Sequence, residues 1–596
     1  MSEYKAPLNN MSFVLHDMFQ IEQFLTDLAH PAELDEELCN AIIEEAGRLC
    51  SQVLAPVNRS GDEQGCVLTD KGVVTPDGFK EAYHQFVEGG WPAFNASPEY
   101  GGQGMPKTLH VLLDEMLHAS NSSFCLYTSL TSGAVHALEH HASEAMKATW
   151  LPPLIEGRWT GTMCLTESHA GTDLGLIKTR ATKNDDDSYL INGTKIFITG
   201  GEHDLGENII HLVLARLPDA PKGVKGISMF IVPRFLLDSS GNPAEANSVS
   251  CGALEHKMGI KASATCVMNF DDATGYLVGE KNQGLKYMFS MMNNERLSIG
   301  IQGIGLADSS LQTAADYARE RLQSRAPVAS TGGPDPIVEQ PDVRRMLLWM
   351  RSHIEAARMS AVWLGMQVDK SELTDDNEQK AQASKMVAFL TPVAKAFYTD
   401  MGSMSCNLGM QVLGGHGYIR EWGQEQHVRD VRIAQIYEGT NGIQAMDLIG
   451  RKLLMDKGEG FQIFAKWYSD AIRKAENTGK LSLANRDNFF STLRESQATL
   501  NTTVEWLLEQ CQQRPALAGS VATDLLELIG LCWLAGMWCL ALNSLERTKY
   551  LSEQQRQQKT VLAEFFINKV LIKHQTLKAS IMAGEQSIMA LDDELM

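Results

Sequence analysis

Apolar residues recur every three or four positions through most of the chain and every second position through one central block, so helices are predicted on either side of a set of strands. Ile21 to Leu28 and Glu36 to Leu54 read as helices, broken by His30-Pro31 and by Pro56. The loops Gly89-Gly90-Trp91-Pro92 and Glu99 to Gly104 precede two more helical runs, Thr108 to Ala119 and Ala134 to Trp150. From Thr160 the period shortens. Gly161 to Thr166, Tyr189 to Thr199, Ile209 to Arg216, Gly226 to Pro233 and Thr265 to Phe270 are predicted strands, and Asn192-Gly193 is a hairpin signal. Helical spacing then returns. Leu297, Ile301, Ile304, Leu311, Ala315, Ala318 and Leu322 fall on one helix face. A Gly/Pro-rich linker, Ala326 to Pro341, leads to helices over Val343 to Gly365 and Lys380 to Met410, and Gln411 to Tyr418 breaks the pattern. Beyond Arg451, Trp506-Leu507-Leu508 and Leu525 to Leu545 are apolar enough to require burial and predict a separate helical domain.

The organisation expected is therefore mainly α with an inserted β-domain. A helical domain covers residues 1–160, the β-domain 161–285, a second helical domain 286–455 and an extra C-terminal helical domain 456–596. At 596 residues, several cores are needed. Apolar content of 44% with 21% charged residues is that of a globular protein, and a net charge of -21 argues against nucleic acid or an anionic membrane as a partner. Local arginines can still build a pocket for an anionic ligand. The longest uncharged apolar run, Leu528 to Leu542, falls short of the ~20 residues that span a bilayer, so a buried helix is expected and no transmembrane segment. Eleven cysteines without a C-x-x-C pair, and an N-terminus unlike a signal peptide, point to reduced thiols in the cytoplasm. No metal site is expected: His140 and His141 are adjacent, point different ways on a helix, and read as surface or cap residues.

Three places carry candidate chemistry. Ile436-Tyr437-Glu438-Gly439-Thr440 places a carboxylate before glycine and threonine after an apolar run, which suits a general base aimed into a cavity; a solvated turn glutamate is the alternative. Leu165 to Asp173 is a loop of small residues leaving the first strand, with backbone N–H groups and two threonine hydroxyls for a polar ring edge or a phosphate, or else a plain solvated turn. Phe197 and Thr199 lie on one face of a strand, and an ordinary strand face accounts for them equally well.

Taken together these motifs resemble the acyl-CoA dehydrogenase family. Met163 to Glu167 with Ala170 to Asp173, and Asn192-Gly193-x-Lys195-x-x-Ile198-Thr199, look like its flavin-binding β-domain. Tyr317 to Arg321, Gln411 to Gly415 and Ile436 to Thr440 match three later motifs in the same order. The resemblance implies a helical domain, a β-barrel-like domain and a four-helix bundle, with FAD as the cofactor across a subunit interface. Thr166 and Thr199 would hydrogen-bond the flavin ring, and Phe197, where many members carry tryptophan, would pack on it. Thr172 would reach the FAD diphosphate or the substrate, and Arg321, Gln411 and Gly415 would bind the diphosphate and adenosine half of a neighbouring subunit's FAD. Thr440 would meet FAD from its own subunit, while Gly442 stands where many members have glutamine.

The resemblance also implies the reaction, α,β-dehydrogenation of an acyl-CoA thioester to the trans-2-enoyl-CoA as in fatty-acid β-oxidation, with electrons passed to an electron-transfer flavoprotein. Glu438 would take the α-proton, its backbone N–H and a flavin ribityl hydroxyl would hold the enolate oxygen, and Gly439 and Arg296 would contact the substrate. Some members carry the base at the position of Glu295, so Glu295 is the rival. Tyr4 to Leu15, the Gly201 to Leu205 insertion and the extra C-terminal domain resemble a long bacterial branch of the family. That branch includes 3-methylmercaptopropionyl-CoA dehydrogenases and broad-range fatty acyl-CoA dehydrogenases, and a homodimer is expected for it. An organosulfur acyl-CoA as substrate, an acyl-CoA oxidase, and a non-catalytic flavin or acyl-CoA binding protein are the alternatives.

Overall fold

The structure is a computed structural model that describes residues 4–328, 333–478 and 483–596. The predicted linker Ala326 to Pro341 falls partly on 329–332, outside the described residues; its far end is helical, with Pro341 opening the helix Pro341–Leu373. The chain packs as two compact units, one made of Arg48–Met105 and Ser120–Ser298, the other of Met1–Gly47, Pro106–Ala119 and Ile299–Met596.

The first unit holds the strands. A hairpin of β1 (Val67–Thr69) and β2 (Gly72–Val74) precedes the main sheet, and its short, largely exposed strands left no apolar alternation to detect. The sheet comprises β3 (Trp159–Cys164), β4 (Arg180–Lys183), β5 (Tyr189–Thr199), β6 (Asn208–Arg216), β7 (Ile227–Pro233), β10 (Val249–Leu254) and β11 (Thr265–Leu277), while β8 (Phe235–Leu237) and β9 (Pro243–Ala246) pair apart. β5 lies between β11 and β4, β4 touches β6, β6 pairs with β7, and β7 returns to β11. The strands therefore close into a ring, which is the barrel-like form expected. β6 and β7 are buried on both faces apart from the last residue of β6, so their apolar runs need not alternate. Trp150, Trp159, Leu212, Met229, Ile231, Met288 and Met291 share one core.

Three expectations are corrected in this unit. Asn192-Gly193 is not a hairpin turn: it lies inside β5, paired with Arg180 and Phe270. The irregularity sits on the facing strand at Asp271-Asp272, where the Asn192 side chain donates to Asp272 Oδ1 (2.7 Å) and accepts from its N–H (3.0 Å). Pro56 does not break its helix. A π-helical turn, Cys50–Leu54, runs into Ala55–Gln64, and Ala55 N–H bonds Cys50 C=O five residues back, so the ring enters a first turn where no donor is required. The helix predicted over Ala134 to Trp150 is split at Ala142-Ser143, because Ser143 caps the helix Glu144–Ile155.

In the second unit the C-terminal helices share a core with the bundle helices. Trp533 on Leu517–Ser544 lies 5.6 Å from the ring of Tyr398 on Asn377–Leu413 and 6.3 Å from Trp363 on Pro341–Leu373. Trp467 on Glu459–Asn477 completes the cluster 4.8 Å from Trp363, and Trp538 Nε1 donates to Ser352 C=O (3.2 Å). The extra C-terminal domain is thus present but does not stand apart. Leu517–Ser544 is long and apolar enough, by composition, to cross a membrane; 89% of its most apolar 18-residue window is buried inside this unit, which makes it a core helix.

Charge is buried beside it. Glu355 accepts from Lys559 Nζ (2.8 Å) and Arg351 Nε (2.9 Å). Burial pushes its carboxyl up, but the two cations and their hydrogen bonds outweigh this and hold it at about 2. The carboxylate therefore stabilises the fold above the ordinary value of 4.5, and that contribution of about 3 kcal/mol is lost as pH falls from there towards 2. Chemical unfolding across this range should give a slope that flattens in a Glu355→Gln/Lys559→Met variant.

Candidate active site

The turn at Glu438 is held by side chains that do not reach it in sequence. The helix Gln424–Arg432 and a 3-10 turn, Ile433–Gln435, deliver the chain to Ile436, and Asn441–Asp447 leads away, its N-terminus capped by the Thr440 hydroxyl. Between them Glu438 (φ 56°) and Gly439 (φ 84°) are both left-handed. Glycine takes that conformation freely and glutamate does not, so the surroundings must enforce it. Buried Gln444 donates to Glu438 C=O (2.8 Å), and buried Lys395 donates to Gly439 C=O (2.8 Å) and Asn441 Oδ1 (2.9 Å). The Tyr437 hydroxyl is bonded to Gln302. The Glu438 side chain is left half-buried and Thr440 exposed.

Neither Lys395 nor Gln444 was singled out from the sequence. The available signal was a lysine inside the apolar run Val393-Ala394-Lys395-Ala396-Phe397, all of it buried, where a cation must have a partner. A Lys395→Met variant strands two acceptors at the turn, and a fall of about tenfold in turnover is expected, with KM for the thioester little changed. Steady-state kinetics check this.

In the other unit, β3 continues into Leu165-Thr166, and Thr166 C=O accepts from Ile196 N–H (2.9 Å). β5 is bulged here: Ile198 and Lys195 face Cys266 and Met268, so two residues, Ile196 and Phe197, oppose the single Val267. The bulge turns Phe197 out at φ 60° with 59% of its surface exposed, while Thr199, opposite Thr265, stays half-buried. Thr166, Phe197 and Thr199 are thus brought together. Thr172 lies further along the same loop, exposed, beyond a turn closed by reciprocal bonds between Glu167 and Ala170. Glu295 and Arg296 are both buried on Gly284–Glu320. The Glu295 carboxyl rests on Gly133, where a β-carbon would come within 2.8 Å of it, and Arg296 donates to Asn293 Oδ1 (3.3 Å).

Arg321, Gln411 and Gly415 are all exposed in the unit that carries Glu438. Tyr317 and Ala318, one turn before Arg321, pack with Val412 and Leu413, and Tyr317 bonds His416 Nδ1 (2.8 Å). That packing sets the ends of two helices side by side. Gly414 turns at φ 59°, and at Gly415 a β-carbon would meet no protein atom within 4 Å, which leaves room for a ligand. A guanidinium, an amide and an open glycine fit a diphosphate, as the aromatic and two threonines fit a flavin ring edge.

Family models match four consecutive stretches of the chain: Acyl-CoA dehydrogenase, N-terminal domain, at 36–158; the middle domain at 162–273; the C-terminal domain at 282–454; and Acetyl-CoA dehydrogenase C-terminal like at 469–592. This chain belongs to the acyl-CoA dehydrogenase family. Its similarity to the 3-methylmercaptopropionyl-CoA dehydrogenase of Ruegeria pomeroyi is 42% identity over 96% of both chains. A butyryl-CoA dehydrogenase of Syntrophomonas wolfei is 34% identical over 83% of both. Among solved structures, an acyl-CoA dehydrogenase complexed with FAD from Bacillus anthracis shares the fold at a TM-score of 0.74 and 20% identity, covering 95% of this chain and 90% of that one. As an acyl-CoA dehydrogenase the protein is an FAD-dependent oxidoreductase of the long form, with N-terminal helical, β, bundle and extra C-terminal helical domains.

Proposed function

We propose that this acyl-CoA dehydrogenase forms trans-2-enoyl-CoA from a saturated acyl-CoA with Glu438 as the base. The observation that carries this is the Glu438 turn, a left-handed glutamate enforced by Gln444 and Lys395. FAD, when bound, accepts the β-hydride. The Glu438 carboxylate takes the α-proton, and its backbone N–H, with Gly439 beside it, faces the thioester oxygen. Thr166 and Thr199 bond the flavin edge, and Phe197 packs on it. Thr172 would reach the FAD diphosphate or the substrate, Thr440 the FAD of its own subunit, Arg321, Gln411 and Gly415 the diphosphate and adenosine half of a neighbouring subunit's FAD, and Arg296 the CoA portion. Glu295 shapes the site. The domains divide at 160, 285 and 455, the enzyme acts in the cytoplasm as a homodimer, and electrons pass to an electron-transfer flavoprotein.

The 42% identity to the Ruegeria pomeroyi protein favours a second reading within this one, that a 3-methylmercaptopropionyl chain is the acyl group taken fastest. The test is the visible spectrum of the FAD-loaded protein during anaerobic addition of acyl-CoAs of graded length, with 3-methylmercaptopropionyl-CoA in the panel. Bleaching establishes the half-reaction, and the fastest substrate ranks the chains. A flavin that no acyl-CoA reduces overturns the proposal. Peroxide formed in air at the turnover rate would make the protein an oxidase, and a tetrameric mass by light scattering would exclude the homodimer.

A further inference from the structure

Lys195 has no exposed surface, yet it carries the one ammonium that touches the Thr166 loop among the hydrogen bonds of the described residues. Its Nζ donates to Leu165 C=O (2.9 Å) and to Glu167 Oε1 (2.9 Å), the residues immediately before and after Thr166. Thr166 C=O is in turn fixed by the N–H of Ile196, the residue next to Lys195. Glu167, also buried, is held by three further donors: Thr179 N–H (3.0 Å) and Oγ1 (2.6 Å) on Oε1, and Lys178 N–H (2.7 Å) on Oε2. Burial pushes its carboxyl up, but Lys195 and these hydrogen bonds bring it down to about 2, so it stays ionised at neutral pH. Two residues beyond Lys195, Phe197 sits in a conformation that bulky side chains avoid. A strained, exposed aromatic persists only where its surroundings fix it.

We propose that Lys195, paired with Glu167, is the positioning residue of the flavin site, one buried ion pair that sets Thr166 on its loop and the bulge presenting Phe197 and Thr199 in mutual register. The pair touches no substrate or cofactor; it acts through these three residues. The inference rests on the flavin assignment made above for them. An isolated buried charge would unfold the unit, so both charges are removed together, in a full-length Lys195→Met/Glu167→Gln variant. FAD affinity is read by titrating apo-protein, alongside the absorption band of the bound flavin and the melting temperature without FAD.

At least a tenfold weaker FAD complex with an altered flavin band is expected, on the scale by which outer supports tune a bound group. In a Thr166→Ala background the same pair change should cost markedly less, because part of what it positions is already gone. Should the double variant not fold, Thr179→Val removes one hydroxyl from Glu167 without moving charge and should give the same pattern at smaller size. An unchanged affinity and band, or an equal loss in both backgrounds, overturns the inference. A parent protein that takes up no FAD overturns instead the flavin assignment on which it rests.

Discussion

A Glu438→Gln variant is expected to bind FAD as the parent does and to bleach with acyl-CoA roughly 10²- to 10⁴-fold more slowly, the range a positioned general base contributes. The amide matches the carboxylate in shape, and the contacts that enforce the turn fall on backbone carbonyls: Gln444 on Glu438 C=O and Lys395 on Gly439 C=O. The turn therefore survives the substitution, and only the proton acceptor is lost. Flavin content and melting temperature should match the parent's. Glu295→Gln is the companion variant. If Glu438→Gln bleached at the parent rate and Glu295→Gln did not, the base would be Glu295, buried against Gly133 in the other unit.

Trp533→Ala should cost about 3–5 kcal/mol of stability, the usual range for emptying a large aromatic site in a core. Trp533 is fully buried, and its ring joins Tyr398 and Trp363, which belong to two different bundle helices. Its neighbours cannot close the gap easily. Gly530, one turn earlier, already lies against the Phe397 ring, where a β-carbon would come within 2.5 Å, and Gly536 is as close to Trp467. Denaturant unfolding followed by tryptophan fluorescence and by circular dichroism should move to lower denaturant by the same amount in both signals. A variant that loosened only the C-terminal helices would instead separate the two curves.

Much of this was legible in the sequence because the motifs that carry it are local. Ile436 to Thr440 and the Leu165 to Asp173 loop are short patterns, and the bounds of β5, Tyr189–Thr199, match those predicted from its strand-forming residues. What sequence missed was long-range. Lys395 and Glu438 are separated by a helix end and a further helix, so nothing local tells that one fixes the turn of the other. Asn192-Gly193 misled for the opposite reason: a strong local turn signal yielded to a strand partner on each side, with the irregularity moved across to Asp271-Asp272. Lys195 belongs to a motif visible in the sequence, but its burial and its bonds to either side of Thr166 appear only in three dimensions.

The helix Leu517–Ser544 also bears on how the protein is made. Newly synthesised and alone, it presents a 28-residue segment with the composition of a membrane span. Much of its sheath comes from Pro341–Leu373, Asn377–Leu413 and Glu459–Asn477, which leave the ribosome before it, while Glu553–Phe565 and His574–Ala583 pack on it from the chain that follows. Gene order thus delivers this most apolar helix after the bundle helices, into a cleft that the last two helices then close. A rearranged gene that encoded residues 456–596 ahead of the bundle would keep every native contact available and still be expected to precipitate, or to be drawn to membranes, during translation.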